Sequence, residues 1–310
     1  MRNRWGSFVF ISPGLRSGFA ILAVAGAIFS APIARAQLTP AQQAGLDLGS
    51  DRDYAFIDLG ATTLGWNSGP ITGSVLFGQG LKVSMSGGNN GGLSNGGTLF
   101  YDGSTTLSGN LQNPPSRSLV DSSVTETAAT LAENVSSYAS SLTPTQTFTN
   151  ITNPTTFTGN GGLNVIDVTD IHNAKLTLSG TANDYFVFNV TGELQTNRAM
   201  TLSGGVLPSH VLFNLTGSGT VLFQTSGGDL LYGTYLATNG GNFQFSELEL
   251  NGELINTGGN VQFVSGSEIV PEPGVVSLLI LSAVALIAWR GTGICRGKGV
   301  ARRWCTFPRS

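Results

Sequence analysis

Short stretches of this chain return at regular intervals, and that recurrence limits the folds open to it. Phe186-Val187-Phe188-Asn189-Val190-Thr191-Gly192 comes back 25 residues later as Val211-Leu212-Phe213-Asn214-Leu215-Thr216-Gly217. Thr177-Leu178-Ser179-Gly180 comes back after 24 as Thr201-Leu202-Ser203-Gly204. Gly240-Gly241-Asn242-Phe243-Gln244-Phe245 comes back after 18 as Gly258-Gly259-Asn260-Val261-Gln262-Phe263. These units are short β segments of alternating polarity, broken by Gly and Asn. One unit cannot bury its apolar side alone, whereas a stack can. The spacings therefore predict a mostly β chain built as a β-solenoid, a parallel β-helix with about three faces of roughly six residues per coil. A β-sandwich with Gly-rich turns shares regular strand spacing, but it gives no reason for like sequences to recur at like positions. The 43 glycines in 310 residues, about twice ordinary usage, suit many turns and close backbone approaches.

One segment breaks the β pattern. Val124, Ala128, Leu131, Val135, Tyr138 and Leu142 recur at spacings of four and three, which places them on one helical face. Ser123 with Glu126 reads as a capping box and Pro144 closes the far end. The spacing predicts one long α-helix near 122–142, packed alongside the solenoid through Leu131 and Tyr138.

Both ends of the chain read as processing segments. Arg2 and Arg4 precede a small-residue apolar run at 18–29, and Ala34-Arg35-Ala36 before Gln37 is an A-x-A cleavage pattern. Residues 1–36 are thus a signal peptide and maturation starts at Gln37. At the other end an apolar run at 274–289, extended to about 274–294, is long enough for a single transmembrane helix. Arg290, Arg296, Lys298, Arg302, Arg303 and Arg309 follow, which leaves the C-terminus in the cytoplasm and the exported domain, 37–269, outside. The tripartite order of Pro271-Glu272-Pro273, apolar segment and basic tail over 270–310 resembles the PEP-CTERM sorting signal of Gram-negative bacteria. That resemblance implies an exosortase acting near Pro271, Glu272 and Pro273. Export with signal peptidase, a transient membrane anchor, and delivery to the outer envelope or the extracellular space follow from it.

Without its ends the chain is acidic. Arg52, Lys82, Arg117, Lys175 and Arg198 face seventeen carboxylates between residues 37 and 269, a net charge near −12. Nucleic acid is excluded as a partner, because phosphate affinity comes from Lys and Arg displacing counterions. Cys295 and Cys305 both lie beyond the apolar run, so no disulfide holds the exported domain.

The domain itself resembles two related families of bacterial exported proteins, the ice-binding-like β-solenoid and the choice-of-anchor A domain. The resemblance is carried by Leu59-Gly60-Ala61, Ile71-Thr72-Gly73-Ser74-Val75, the helix, and Tyr185-Phe186-Val187-Phe188-Asn189-Val190. Gly233-Thr234-Tyr235-Leu236-Ala237 and Asn251-Gly252-Glu253-Leu254-Ile255 extend it over most of the mature domain. The chain departs from the ice-binding pattern at 51–66, which is longer and more polar, and in the Gly/Asn run at 87–97.

Candidate chemistry is sparse. In Asp167-Val168-Thr169-Asp170-Ile171-His172, Asp170 and His172 share a strand face and fit a carboxylate-oriented base or two metal ligands, although a hydrogen-bonded corner accounts for them equally simply. Asp51-Arg52-Asp53 has the i, i+2 carboxylates of a calcium loop without its closing Glu, and otherwise reads as a solvated turn held by the Arg. Thr143, Thr145, Thr147 and Thr149 would align four hydroxyls if extended, and read as a solvated connector otherwise. Asn134, Asn150, Asn189 and Asn214 begin N-x-S/T patterns. The chain has no nucleophile elbow, P-loop or zinc spacing, so no catalytic residue, cofactor or metal ligand is assigned. The resulting expectation is a non-catalytic envelope or extracellular-matrix protein, adhesive or associated with exopolysaccharide. An ice-binding protein and a polysaccharide-active β-helix enzyme are the alternatives.

Overall fold

A computed structural model describes residues 38–271, apart from 61, 68, 87–91, 111–114 and 265. The expected signal segment, with Ala34, Ala36 and Gln37, lies outside the described residues. So do Glu272, Pro273, the apolar span 274–294 and the basic Arg290, Arg296, Lys298, Arg302 and Arg303. No helix among the described residues is long and apolar enough to cross a membrane.

The described domain is a three-faced parallel β-solenoid. The sequence repeats are its coil registers: Phe188 pairs with Phe213, Leu178 with Leu202, and Phe245 with Phe263. Coil length is not constant. From Phe188 to Phe213, Tyr235 and Leu254 the step falls from 25 residues to 22 and then 19, because the corners shorten while the faces keep their register. Inward positions are apolar and stacked. The Phe188 and Phe213 rings lie 4.7 Å apart at 9°, and Tyr235 continues the pile at 4.7 Å and 2°.

Coil order departs from chain order. On the first face Gln146–Ile151 is followed by Leu163–His172, Tyr185–Val190, Val211–Leu215, 234–237 and 254–256. The next strand in space is then Tyr54–Asp58, the first in the chain, followed by Ser74–Phe77, Thr98–Asp102 and Ser116–Val120. The chain thus begins mid-stack, runs to one end, and must return to the other before it can fill the gap. The helix makes that return. Ser122–Ser141 has 20 residues, about 30 Å, enough to cross most of a stack whose strands lie about 4.8 Å apart.

The return fixes what the helix shows to the sheet. Strands in the first face turn Ile57, Leu76, Val187, Leu212, Leu236 and Ile255 outward, and Ala128, Ala132, Val135 and Ala139 pack on them. Leu131 and Tyr138, expected to form this contact, are only partly buried. They cover the N-terminal segment instead: a Cβ placed at Gly45 would sit 2.5 Å from the Tyr138 ring, and one at Gly49 would sit 3.6 Å from Leu131. The large side chains come from the sheet, so the helix supplies small ones and approaches closely. The expected capping box is replaced as well. Asp121 is the N-cap, its Oδ1 accepting Ser123 N–H at 2.9 Å, and Glu126 instead accepts the Gln79 amide at 3.3 Å.

Candidate functional site

The third face carries a regular array of polar groups. Thr155–Thr158, Leu176–Ser179 and Thr201–Ser203 form a parallel three-stranded sheet. Phe157 and Leu178 point inward and are buried, so strand alternation turns their neighbours out. Register aligns Thr156, Thr177 and Thr201 in one rank and Thr158, Ser179 and Ser203 in the next. The ranks lie about 6.8 Å apart along the strands, and their members about 4.8 Å apart across them. Backbone hydrogen bonds fix these intervals, and the threonines among them are stiff at χ1. Farther along the same face the ranks change character. Glu249 stacks on Glu268, whose carboxyl is pushed up by burial and by the Glu249 charge, and Thr72 hydrogen-bonds Ser94 at 2.7 Å.

The threonines singled out in the sequence do not make this array. Thr147 and Thr149 are exposed on the terminal strand Gln146–Ile151, so this part is a strand and not a connector, while Thr143 precedes it. The Thr145 hydroxyl is spent on the Val165 carbonyl at 2.8 Å. The true array was written in the repeat at 177–180 and 201–204. Reading inward and outward positions separately would have exposed it.

Asp170 sits at a solenoid corner. Its Oδ1 accepts Glu193 N–H at 2.8 Å, and the Asn150 amide nitrogen, in the orientation that satisfies both groups, reaches Oδ2 at 3.1 Å. A Cβ at Gly192 would fall 2.2 Å from Asp170 Oδ1 and 2.9 Å from the Thr169 carbonyl oxygen, so a larger residue there would disturb the Asp170 bond. His172 is half-buried and lies in register with Gln195 on the second face.

Asp51 is not in a solvated turn. It is buried, neither carboxylate oxygen has a hydrogen-bond partner, and its carboxyl is pushed up to about 7 by burial and by the nearby Glu253 charge. Arg52 points away, its Nε 3.9 Å from Asp47. Asp53 stays exposed, so the pair does not converge as a calcium loop would require. Among the described residues, no three His, Cys, Asp or Glu side chains are grouped to hold a metal.

Two of the N-x-S/T asparagines are structural. Asn189 and Asn214 are buried and bond to each other and to the helix, which leaves no amide for a glycan in the folded protein. Pro271, where the expected sorting motif begins, directly follows the last strand, Glu268–Val270.

The family described as ice-binding-like adhesive domain matches residues 47–269. No curated protein sequence matches the chain. Several solved structures share the fold. An ice-binding protein from an Antarctic biological consortium is 19% identical, with TM-score 0.51, covering 76% of this chain and 94% of its own. An ice-binding protein from an Arctic yeast is 15% identical, with TM-score 0.51, covering 74% and 95%. The DUF3494 domain of ice-binding protein 1 from Shewanella frigidimarina is 14% identical, with TM-score 0.52, covering 76% and 98%.

Proposed function

The chain belongs to the ice-binding-like adhesive domain family, and on that premise we propose that it is a non-catalytic adhesive protein of the cell envelope or extracellular matrix. It holds hydrated exopolysaccharide through the third face. The observation that carries this reading is the double rank of Thr156, Thr177 and Thr201 beside Thr158, Ser179 and Ser203. Neutral hydroxyls at fixed intervals match a repeating polyhydroxylated surface. Each contact is weak, so retention depends on many copies acting together. The sequence patterns at the ends supply the route: signal peptidase cuts before Gln37, the span at 274–294 anchors the chain transiently, and an exosortase acts at Pro271-Glu272-Pro273 in a Gram-negative host.

Ice is the second reading, favoured by the same ranks and by the names of the structurally similar proteins. One experiment separates the two. The full chain, free and at high density on beads, is tested for retention on immobilised bacterial exopolysaccharide and for thermal hysteresis. Bead-borne protein should be retained, and Thr177→Tyr with Thr201→Tyr should abolish retention while leaving stability unchanged. Thermal hysteresis lost in the same variant, without polysaccharide retention, would replace adhesion by ice binding.

A further inference from the structure

A second, concave polar site lies on a different face. Inward Phe148, Val168, Val190, Leu215, Ala237 and Asn256 follow one another in register up the first face. The residue after each is a threonine: Thr149, Thr169, Thr191, Thr216, Thr238 and Thr257. They climb one corner of the solenoid at about 4.8 Å per coil, and the hydroxyls of Thr216, Thr238 and Thr257 are already bonded to backbone carbonyls or to Ser136. Between this corner and the C-terminal half of the helix is an open cleft of about 210 Å³. Thr169, Thr191 and Thr216 line one side and Ser140 of the helix another, with Thr147, Asp167 and Asn189 also in its lining.

The cleft is held open by bonds already made. Asn189 Nδ2 donates to the Ala139 carbonyl and to Asp167 Oδ1, both at 3.0 Å, and Asn214 Nδ2 donates to Ser140 Oγ at 3.0 Å. Helix and sheet are therefore cross-tied at the site, and a ligand meets preset walls. The Asp167 bond orients the carboxylate and leaves Oδ2 as an acceptor. Half-buried Phe148 borders the cleft at the terminal coil, but its ring packs edge-on against Phe157 in the core. No Lys or Arg lines it.

We infer that this cleft binds a linear neutral glycan, with one sugar ring in the cleft and its neighbours along Thr149, Thr169 and Thr191. Hydroxyls and one oriented carboxylate are groups that recognise sugar hydroxyls. The absence of bases in the lining and the acidity of the domain disfavour uronic acids. The inference rests on the adhesive reading but uses none of the third-face residues, so the two can fail separately.

The test is titration of the full chain, in a detergent without a sugar headgroup, with a neutral β-1,4-linked glucose hexamer and with a glucuronate oligomer of equal length. NMR or calorimetry serves as readout. The neutral hexamer should bind and the uronate should not. Thr169→Val with Thr191→Val, which keeps β-branched shape and removes two hydroxyls, should weaken binding about tenfold. Thr191→Trp should abolish it by filling the cleft. Thr177→Tyr with Thr201→Tyr should leave it intact. No hexamer binding by the wild type, or equal binding by all variants, overturns the cleft. If polysaccharide retention still depends on Thr177 and Thr201, the adhesive reading survives that outcome.

Discussion

The side-chain amide of Asn214 donates to Asn189 Oδ1 at 2.9 Å, across one solenoid coil and 25 residues of sequence. Each asparagine also grips the helix, Asn189 at the Ala139 carbonyl and Asn214 at the Ser136 carbonyl, while the Ser136 hydroxyl returns a bond to Asn214 Oδ1 at 2.7 Å. The Asn-Asn ladder therefore does two jobs. It fixes coil register at the helix-facing positions of the first face, and it docks the helix at one rotation. Asn214→Ala would orphan several buried groups, and about 2 to 4 kcal/mol of stability should be lost. Chemical denaturation with a tryptophan or circular-dichroism readout checks this. A loss well under 1 kcal/mol would mean that the ladder is incidental.

The stacked rings should carry a large share of the core. Phe188 and Phe213 are fully buried and in register. Each Phe→Ala should cost about 3 to 5 kcal/mol, through lost burial and the cavity left behind. Exposed Thr147→Ala should cost less than about 0.5 kcal/mol. Comparable unfolding midpoints for all three variants would contradict the stacked core.

Asp58 predicts a pH dependence. It is buried where the first strand closes on the last coil, and its Oδ1 accepts the Asn256 amide at 2.9 Å. Burial pushes its carboxyl up to about 7, although the Asn256 and Gly60 bonds oppose the shift. In the unfolded chain it ionises near pH 4, as an ordinary Asp does. Between about pH 4 and 7 the native state therefore holds a proton that the unfolded state has released, and stability falls as pH rises through that window. Asp51 acts in the same direction. Asp58→Asn removes the titration, so its loss of stability between pH 5 and pH 8 should be smaller than the wild type's. Parallel pH profiles would show that Asp58 ionises without penalty.

If Pro271-Glu272-Pro273 acts as a sorting motif, that role can be tested apart from the fold. Changing Pro271, Glu272 and Pro273 to Ala should leave export and the denaturation midpoint unchanged while blocking removal of residues 290–310. Mass spectrometry of envelope-associated protein in cells with an active exosortase decides this. A wild-type protein that keeps Arg290 to Ser310 would rule out processing at this tail.

Local sequence determined the coils. Alternation sends Phe188, Phe213, Phe245 and Phe263 inward whatever lies around them, and repeats returning after 18, 24 and 25 residues set parallel registry between neighbouring coils. The helix was legible for the same reason, since its period differs from that of a strand. Which coil lies next to which was decided only by tertiary structure. Asp58 meets Asn256 across 198 residues, and nothing in either segment's periodicity announces that the first strand must complete the last coil. That junction buries Tyr54–Asp58 in the stack and requires the helix to return along the first face. Alanines thereby become its sheet contact, and Leu131 and Tyr138 become the cover for the N-terminal turn. The polar sites follow the same division. A hydroxyl's side of a strand is set by alternation, but its joining a rank on a face or a wall of a cleft depends on neighbours supplied by other coils and by the docked helix.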